Sequence, residues 1–254
     1  MEVAIIKYMG SKSRIAKHIV PIIQSYIDKN NIDVYIEPFV GGANVIDKID
    51  CGNKIGSDYN KYLIALLKRV QKNKPLLEEV PRELYNDVRS NQNNDKYEDW
   101  FVGNVGFLAS YNGRWFDGGY AQSGYEKTKN GFRLRDYYQE ASNNLLKQAK
   151  NLKDVKFICC DYKKYTSVIA NKKCVIYCDP PYQNTKQYAN ATNFDYEEFW
   201  ETMRQWSKNN IVLISEQNAP SDFECIWQQE VSRSIKATDK STAVEKLFIY
   251  KQTK

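Results

Sequence analysis

Asp179, Pro180, Pro181 and Tyr182 follow directly on Cys174–Cys178, an uncharged run that suits a strand covered on both faces. Each proline lacks a ladder donor and holds φ near −65°, so the strand must stop there. A tetrapeptide of this composition arises by chance in roughly one chain per thousand of this length. Its place at a strand mouth therefore calls for a chemical reason. An exocyclic amine on an aromatic base is a poor nucleophile, because its lone pair is delocalised into the ring. Two acceptors, one for each N–H, would aim that lone pair at an electrophilic methyl group. Asp179 offers a carboxylate, Pro180 a carbonyl in a fixed direction, and Tyr182 a face on which the base can stack. The turn reads as an amine clamp.

A second constellation lies upstream. DVYIEPFV reads as a strand, Gly41 and Gly42 as a tight turn, and GGANVIDKI as that turn entering a helix. Such a turn brings backbone N–H groups to the polar end of a ligand. Asp58 stands 17 residues beyond Gly41, at the end of a second strand, NKIGSDYN. A nucleotide-type fold puts an acid there to bind ribose hydroxyls. The same aspartate could instead cap the next helix, KYLIALLKRV. The adjacent glycines do not make G-x-G-x-x-G, and G-K-S/T is absent, which disfavours pyrophosphate-binding and Walker-type loops. A cofactor with ribose and adenine but no phosphate fits, and S-adenosylmethionine is such a molecule.

The elements that must position these groups alternate. After the first helix, SKSRIAKHIVPIIQSYI, the order is strand, turn, strand, helix, which argues for a parallel sheet with helices on its faces. The pattern resumes with a helix near YYQEASNNLLKQAKNL, the strands VKFICC and CVIYC, a helix from about Tyr196 to Lys208, and the strand NIVLISE. Strands near QEVSRSIK and EKLFIYK make a terminal hairpin. Between these stretches the chain turns polar, then rich in glycine and aromatics. The expected organisation is a cofactor-binding domain over 1–71 and 136–254, interrupted by an insertion over 72–135.

Composition narrows the classes. The 254 residues are 42% hydrophobic and 27% charged, with a net charge of +6, which permits a polyanionic partner without demanding one. No apolar run approaches the roughly 18 residues of a membrane span. The start, MEVAIIKYMGSK, lacks the features of a secretion signal, so a cytoplasmic protein is expected. The six cysteines (51, 159, 160, 174, 178, 225) form no C-x-x-C pair and read as buried reduced thiols. His18 is the single histidine and reads as structural, so neither histidine acid/base chemistry nor a metal is expected.

KYMGSK at 7–12, the F-V-G-G turn and D-P-P-Y together resemble the Dam-type (alpha-group) DNA adenine-N6 methyltransferases, in the same order and across nearly the whole chain. The resemblance implies a Rossmann-like, S-adenosylmethionine-dependent methyltransferase sheet with helices on both faces. It also implies a small, mostly helical target-recognition insertion with a hairpin. The implied reaction is methyl transfer to N6 of a flipped adenine in double-stranded DNA, by a monomer and without metal. Tyr8, Gly10, Lys12, Glu37, Pro38, Phe39, Gly41, Gly42, Asp58, Asp161, Tyr162 and Asp179 would hold the cofactor, with Asp161 near its adenine. Asp179, Pro180, Pro181 and Tyr182 would form the catalytic tetrad, and Lys7 would reach DNA. Ala43 departs from the family's turn, where a second spaced glycine stands.

Within the insertion, YNGRWFDGGYAQ is similar to the family's Y-N-G hairpin, which enters the DNA groove. Arg114 is the candidate for a guanine contact, since its fork matches O6 and N7. Asn112 either reads adenine or shapes the turn, and Tyr111 or Trp115 would wedge into the stack left by the flipped base. Lys127, Lys129, Arg133 and Arg135 are phosphate contacts or solvated surface. The plain alternative is a glycine-rich surface loop. RSIKATDKST, between the last two strands, either touches the backbone or is a loop. Cytosine-N4 methylation, which more often carries S-P-P-Y, and protein glutamine methylation, with N-P-P-Y, are rivals that Asp179 opposes. A DNA-binding relative without catalysis is opposed by the intact tetrad.

Overall fold

The computed structural model describes residues 10–128, 131–169, 173–183, 194–232 and 242–251. Their elements in chain order are α1 (Ala16–Lys29), β1 (Val34–Glu37), β2 (Asn53–Asp58), α2 (Lys61–Gln71), α3 (Arg82–Ser90), α4 (Asp99–Gly103), β3 (Gly124–Thr128) and β4 (Gly131–Arg135). There follow α5 (Tyr137–Ala149), β5 (Val155–Cys159), α6 (Tyr165–Val168), β6 (Val175–Cys178), α7 (Tyr196–Ser207), β7 (Ile211–Glu216), β8 (Phe223–Ser232) and β9 (Thr242–Tyr250). Seven strands form one sheet in the order β5-β2-β1-β6-β7-β9-β8, and β3 pairs with β4 apart from it. β6 runs parallel to both β1 and β7, whereas β9 is antiparallel to β7 and β8. The α/β fold expected from the alternation is therefore what the chain adopts, with β8 and β9 as the expected terminal hairpin, antiparallel in an otherwise partly parallel sheet. Strand order reverses between β1 and β6, and in open α/β sheets ligands bind beyond the carboxyl ends of the strands at such a point.

The chain divides into two compact units. One comprises Met1–Lys17, Val40–Ile49 and Gly56–Cys160; the other comprises His18–Phe39, Asp50–Ile55 and Asp161–Lys254.

In the second unit, Tyr35, Ile36, Val175, Ile176, Leu213 and Ile214 are buried, as short apolar strands of a covered sheet must be. Helix α7 starts where Asp195 accepts the Glu198 amide at 2.9 Å, and buries Phe199, Trp200, Met203 and Trp206. Strand β8 begins at Phe223, earlier than its polar sequence suggests, because its ladder to β9 runs from Phe223↔Tyr250 across an irregularity at Cys225/Trp227. Bond donors and acceptors of the backbone, rather than side-chain alternation, carry it there.

In the first unit, Asn60 caps α2 by accepting from Tyr62 N and Leu63 N at 3.1 Å, and Leu63, Leu66, Leu67 and Val70 are buried. The stretch after the glycine turn departs from expectation: it holds only a 3-10 turn at Ile46–Lys48 and no α-helix. Gly41 and Ala43 both have left-handed backbone (φ 48° and 56°), which no continuous helix admits. Asn44 spends its side chain on Ser11 Oγ (2.7 Å) instead of capping.

The stretch 72–135 contains α3, α4 and a π-helical turn, Asn104–Leu108, then two 3-10 turns and the β3–β4 hairpin. Two of its glycines serve packing. A Cβ on Gly103 would lie 2.3 Å from the Tyr62 carbonyl, and one on Gly106 would lie 2.6 Å from the Trp115 ring. These two positions are therefore not parts of a loose surface loop. The cysteines also differ from expectation. Only Cys174 and Cys178 are buried, while Cys159 and Cys225 are exposed, because they lie on β5 and β8, the two edge strands. His18 stacks on Trp227, with centroids 6.0 Å apart. Among the described residues, no helix is long and apolar enough to cross a membrane.

Candidate active site

Strand β6 delivers its last residue, Cys178, to the turn Asp179-Pro180-Pro181-Tyr182, and the register Ile36↔Ile176 brings the end of β1 to the same edge. There, Glu37 is buried and accepts the Tyr35 hydroxyl at 2.6 Å, and Pro38 is buried beside it. Asp179 is half-buried. Tyr196 on α7 donates its hydroxyl to the Pro181 carbonyl at 2.9 Å, and Gln183 N reaches Glu216 Oε2 at 3.3 Å. The Tyr182 hydroxyl donates to Glu245 Oε2, on β9, at 2.6 Å. Loss of hydration, and then the charges of Asp179 and Glu245, push the Tyr182 phenol well above its usual value. It is a neutral donor at physiological pH. Burial and the Asp179 charge do the same to Tyr177 and Cys178. The described residues at this edge bring together the carboxylates of Glu37, Asp179, Glu216 and Glu245, which suits a positively charged ligand.

Phe39 packs on Tyr162 (5.2 Å between centroids), Phe194 and Phe199. Asp161 is half-buried and caps its own 3-10 turn by accepting Lys163 N at 2.9 Å.

The glycine turn belongs to the other unit. Asp58, at the end of β2, accepts the Gly41 amide on one carboxylate oxygen (3.1 Å) and the Asn60 amide on the other (2.9 Å). It does not cap α2, since Asn60 does. Burial raises its carboxyl, and the amides of Asn60, Gly41 and Tyr59 oppose that rise. Ser11 meets Asn44, so the turn is joined to the stretch holding Gly10 (φ 79°) and buried Lys12. Gln148, fully buried on α5, donates to the carbonyls of Gly42 (3.0 Å) and Ala43 (2.9 Å). Neither Gln148 nor Glu245 was visible in the sequence: one sits in an ordinary amphipathic helix, the other in an alternating strand, and only tertiary contact marks them. Lys7, Tyr8, Lys129 and residues 233–241 of RSIKATDKST lie outside the described residues.

Residues 8–212 match the family model of D12 class N6 adenine-specific DNA methyltransferases. The chain belongs to this family. The type II methyltransferase M.MjaIII of Methanocaldococcus jannaschii is 26% identical over 218 residues, which are 76% of this chain and 74% of that protein. A DNA adenine methylase of Haemophilus influenzae is 30% identical over 210 residues, 76% of this chain and 68% of that protein. The type II methyltransferase M.FokI of Planomicrobium okeanokoites is 24% identical over 211 residues, 79% of this chain but 32% of that longer protein. The methyl acceptor is thus the adenine N6 amine of DNA, as the family resemblance implied, and S-adenosylmethionine is the family's methyl donor.

In this methyltransferase the turn Tyr111–Gly113 carries an exposed Tyr111 (48%) and an Asn112 held in left-handed backbone (φ 55°). Arg114 is half-buried, and its Nε has no hydrogen-bond partner among the described residues. Trp115, in contrast, is 9% exposed, stacks on Tyr62 and donates its indole N–H to Gln92 at 3.0 Å. A ring so held is core, so of the two aromatic wedges expected, Tyr111 alone is at the surface. The β3–β4 register sets Lys127 opposite Phe132 and residue 126 opposite Arg133. Lys127 and Arg133 are both exposed. Arg135 is instead paired with Glu140 at 2.7 and 2.9 Å and lies over Tyr137. Among the described residues, no group of three or more His, Cys, Asp or Glu could hold a metal ion.

Proposed function

We propose that Asp179 and the Pro180 carbonyl accept the two N–H groups of the target adenine amine while Tyr182 stacks on the base. One observation carries this: the tetrad leaves β6 at the carboxyl edge where the strand order reverses, in a carboxylate-rich setting. S-adenosylmethionine, when bound, supplies an electrophilic methyl on a sulfonium. Asp179 holds an N–H proton as positive charge develops on the attacking nitrogen, an interaction strongest in the transition state. The donor set fits the cofactor. Asp58 already accepts backbone amides on both oxygens, and a carboxylate has about four acceptor sites, so capacity remains for a ribose hydroxyl. Gly10, Lys12, Gly41 and Gly42 would form the backbone around its polar end, and Glu37, Pro38, Phe39, Asp161, Tyr162 and Asp179 would complete its contacts.

The segment 72–135 serves as the target-recognition part. Tyr111 would fill the stack of the flipped base, Arg114 would read a guanine, and Lys127 and Arg133 would hold phosphates of double-stranded DNA. The exposure of Tyr111 and the unused Nε of Arg114 support this reading. One chain carries both the glycine turn and the tetrad, which supports a monomeric working form in the cytoplasm, where the DNA is. The test is mass analysis of nucleosides from DNA incubated with enzyme and cofactor. N6-methyladenine is expected with the wild type and absent with Asp179→Ala. An N4-methylcytosine product would overturn the reading.

A further inference from the structure

We infer that Glu245 is a positioning residue for methyl transfer, fixing the plane of the Tyr182 ring through the tyrosine hydroxyl. This rests on the reading of Tyr182 as the face on which the base stacks. A tyrosine ring turns about two torsions, and the outer one is broad and two-fold. Tyr182 is restrained at its root, because it follows two prolines. Its tip is held by Glu245, whose carboxylate accepts the hydroxyl at 2.6 Å. With both ends fixed, neither torsion can relax when a base arrives. The distance lies in the range of charge-assisted O–H···O⁻ bonds, about twice as strong as neutral ones.

The backbone of Glu245 is itself rigidly placed. It sits on β9, paired with Gln229 of β8, and its neighbour Lys246 pairs with Glu216 of β7. The ring plane is thereby referred to the sheet rather than to the loop that bears the tyrosine. Glu245 touches no reacting atom on this view. It acts through Tyr182, so its removal should cost rate where the base must stack, and nothing once the hydroxyl is gone.

The experiment uses the full chain, unmethylated genomic DNA and labelled S-adenosylmethionine under single-turnover conditions. Glu245→Ala should slow methyl transfer about ten- to hundred-fold. Its cofactor affinity, measured by calorimetry, should stay within about three-fold of wild type. Glu245→Gln retains an acceptor and should recover most of the rate. Tyr182→Phe should be slowed like Glu245→Ala, and the double variant should be no slower than Tyr182→Phe alone. If the two losses multiply in the double variant, or if Glu245→Ala turns over normally, the inference fails. Should Glu245→Ala lose its circular-dichroism spectrum, Glu245→Met, which keeps the bulk and removes the acceptor, replaces it: a loss present with Tyr182 and absent with Tyr182→Phe supports the inference, and no loss, or an equal loss in both, overturns it. A wild type that yields no N6-methyladenine would sink the functional reading instead, so the two failures are distinguishable.

Discussion

The carboxylate of Asp58 accepts the amide of Gly41 at 3.1 Å, so the acid at the end of β2 and the turn after β1 are joined by a direct hydrogen bond. The neighbouring Asn60, two residues on, does the work of capping α2. Sequence reading left both duties open for Asp58; the structure gives the cap to Asn60, and ribose binding is the role proposed for Asp58. Asp58→Ala should therefore weaken S-adenosylmethionine binding by about ten-fold or more, since hydrogen bonds to charged groups contribute roughly 1.5–3 kcal/mol. Asn60→Ala should leave cofactor affinity unchanged and cost about 1 kcal/mol of stability. Calorimetric titration beside thermal melting separates the two, and a reversed pattern would refute the division.

The pH dependence of cofactor binding follows from the same carboxyl. Burial raises its pKa above the ordinary aspartate value of 3.8. Ribose hydroxyls need the ionised acceptor, so affinity should fall as pH drops through that raised value. Apo stability moves the other way, because a carboxyl whose folded pKa is raised binds protons more tightly when folded and stabilises the fold as pH falls. The rise in Tm produced by S-adenosylmethionine should thus begin to shrink above the usual aspartate range. Asp58→Asn should flatten that profile. An unchanged profile in the variant would assign the titration to another group.

Gln148 should act on the cofactor without touching it. Its amide nitrogen donates to the carbonyls of Gly42 and Ala43, which lie in a turn containing the left-handed Ala43. Gln148→Ala leaves two buried carbonyls without this donor, a loss of about 1–3 kcal/mol. Melting temperature and cofactor affinity should fall together, while affinity for DNA alone stays within about two-fold. Filter binding with and without cofactor reads both.

Tyr111 and Trp115 should part company under mutation. Trp115→Ala removes a ring packed on Tyr62, Phe107 and Phe116, and should destabilise by about 3–5 kcal/mol. Tyr111→Ala should melt like wild type, yet lower the fluorescence gain of a 2-aminopurine placed at the target adenine. Equal melting of the two variants would show that Trp115 is not core.

Local signals were legible and long-range ones were not. KYLIALLKRVQ carried its own period and matches α2 at Lys61–Gln71, and the uncharged run before Asp179 gave β6. The glycine turn was legible as a turn, but the helix after it was not excluded by composition, because the left-handed φ of Ala43 leaves no mark on residue type. Trp115 looked like a surface ring because it neighbours glycine, arginine and aspartate. Its burial depends on Gly106, nine residues away, giving it room. Glu245 and Gln148 lie 63 and 105 residues from the groups they hold, Tyr182 and Ala43, a separation at which no pattern in the chain can speak.

Arg114 and Lys127 offer the sharpest contrast in the segment proposed to face DNA. Arg114 is half-buried beside the left-handed Asn112, with an Nε that no described residue uses, whereas Lys127 is exposed on the hairpin. A guanidinium fork held at one place can discriminate a guanine by about 1–3 kcal/mol. A lysine on an open strand can neutralise a phosphate on any sequence. Arg114→Ala should therefore relax the methylated motif at one position, seen by sequencing methylated sites in DNA from cells expressing the variant. Lys127→Ala should leave the motif intact, weaken all DNA alike, and reduce the slope of log affinity against log salt by about one. If Arg114→Ala keeps the motif and only lowers affinity, the arginine is a backbone contact and the base reader lies elsewhere in 72–135.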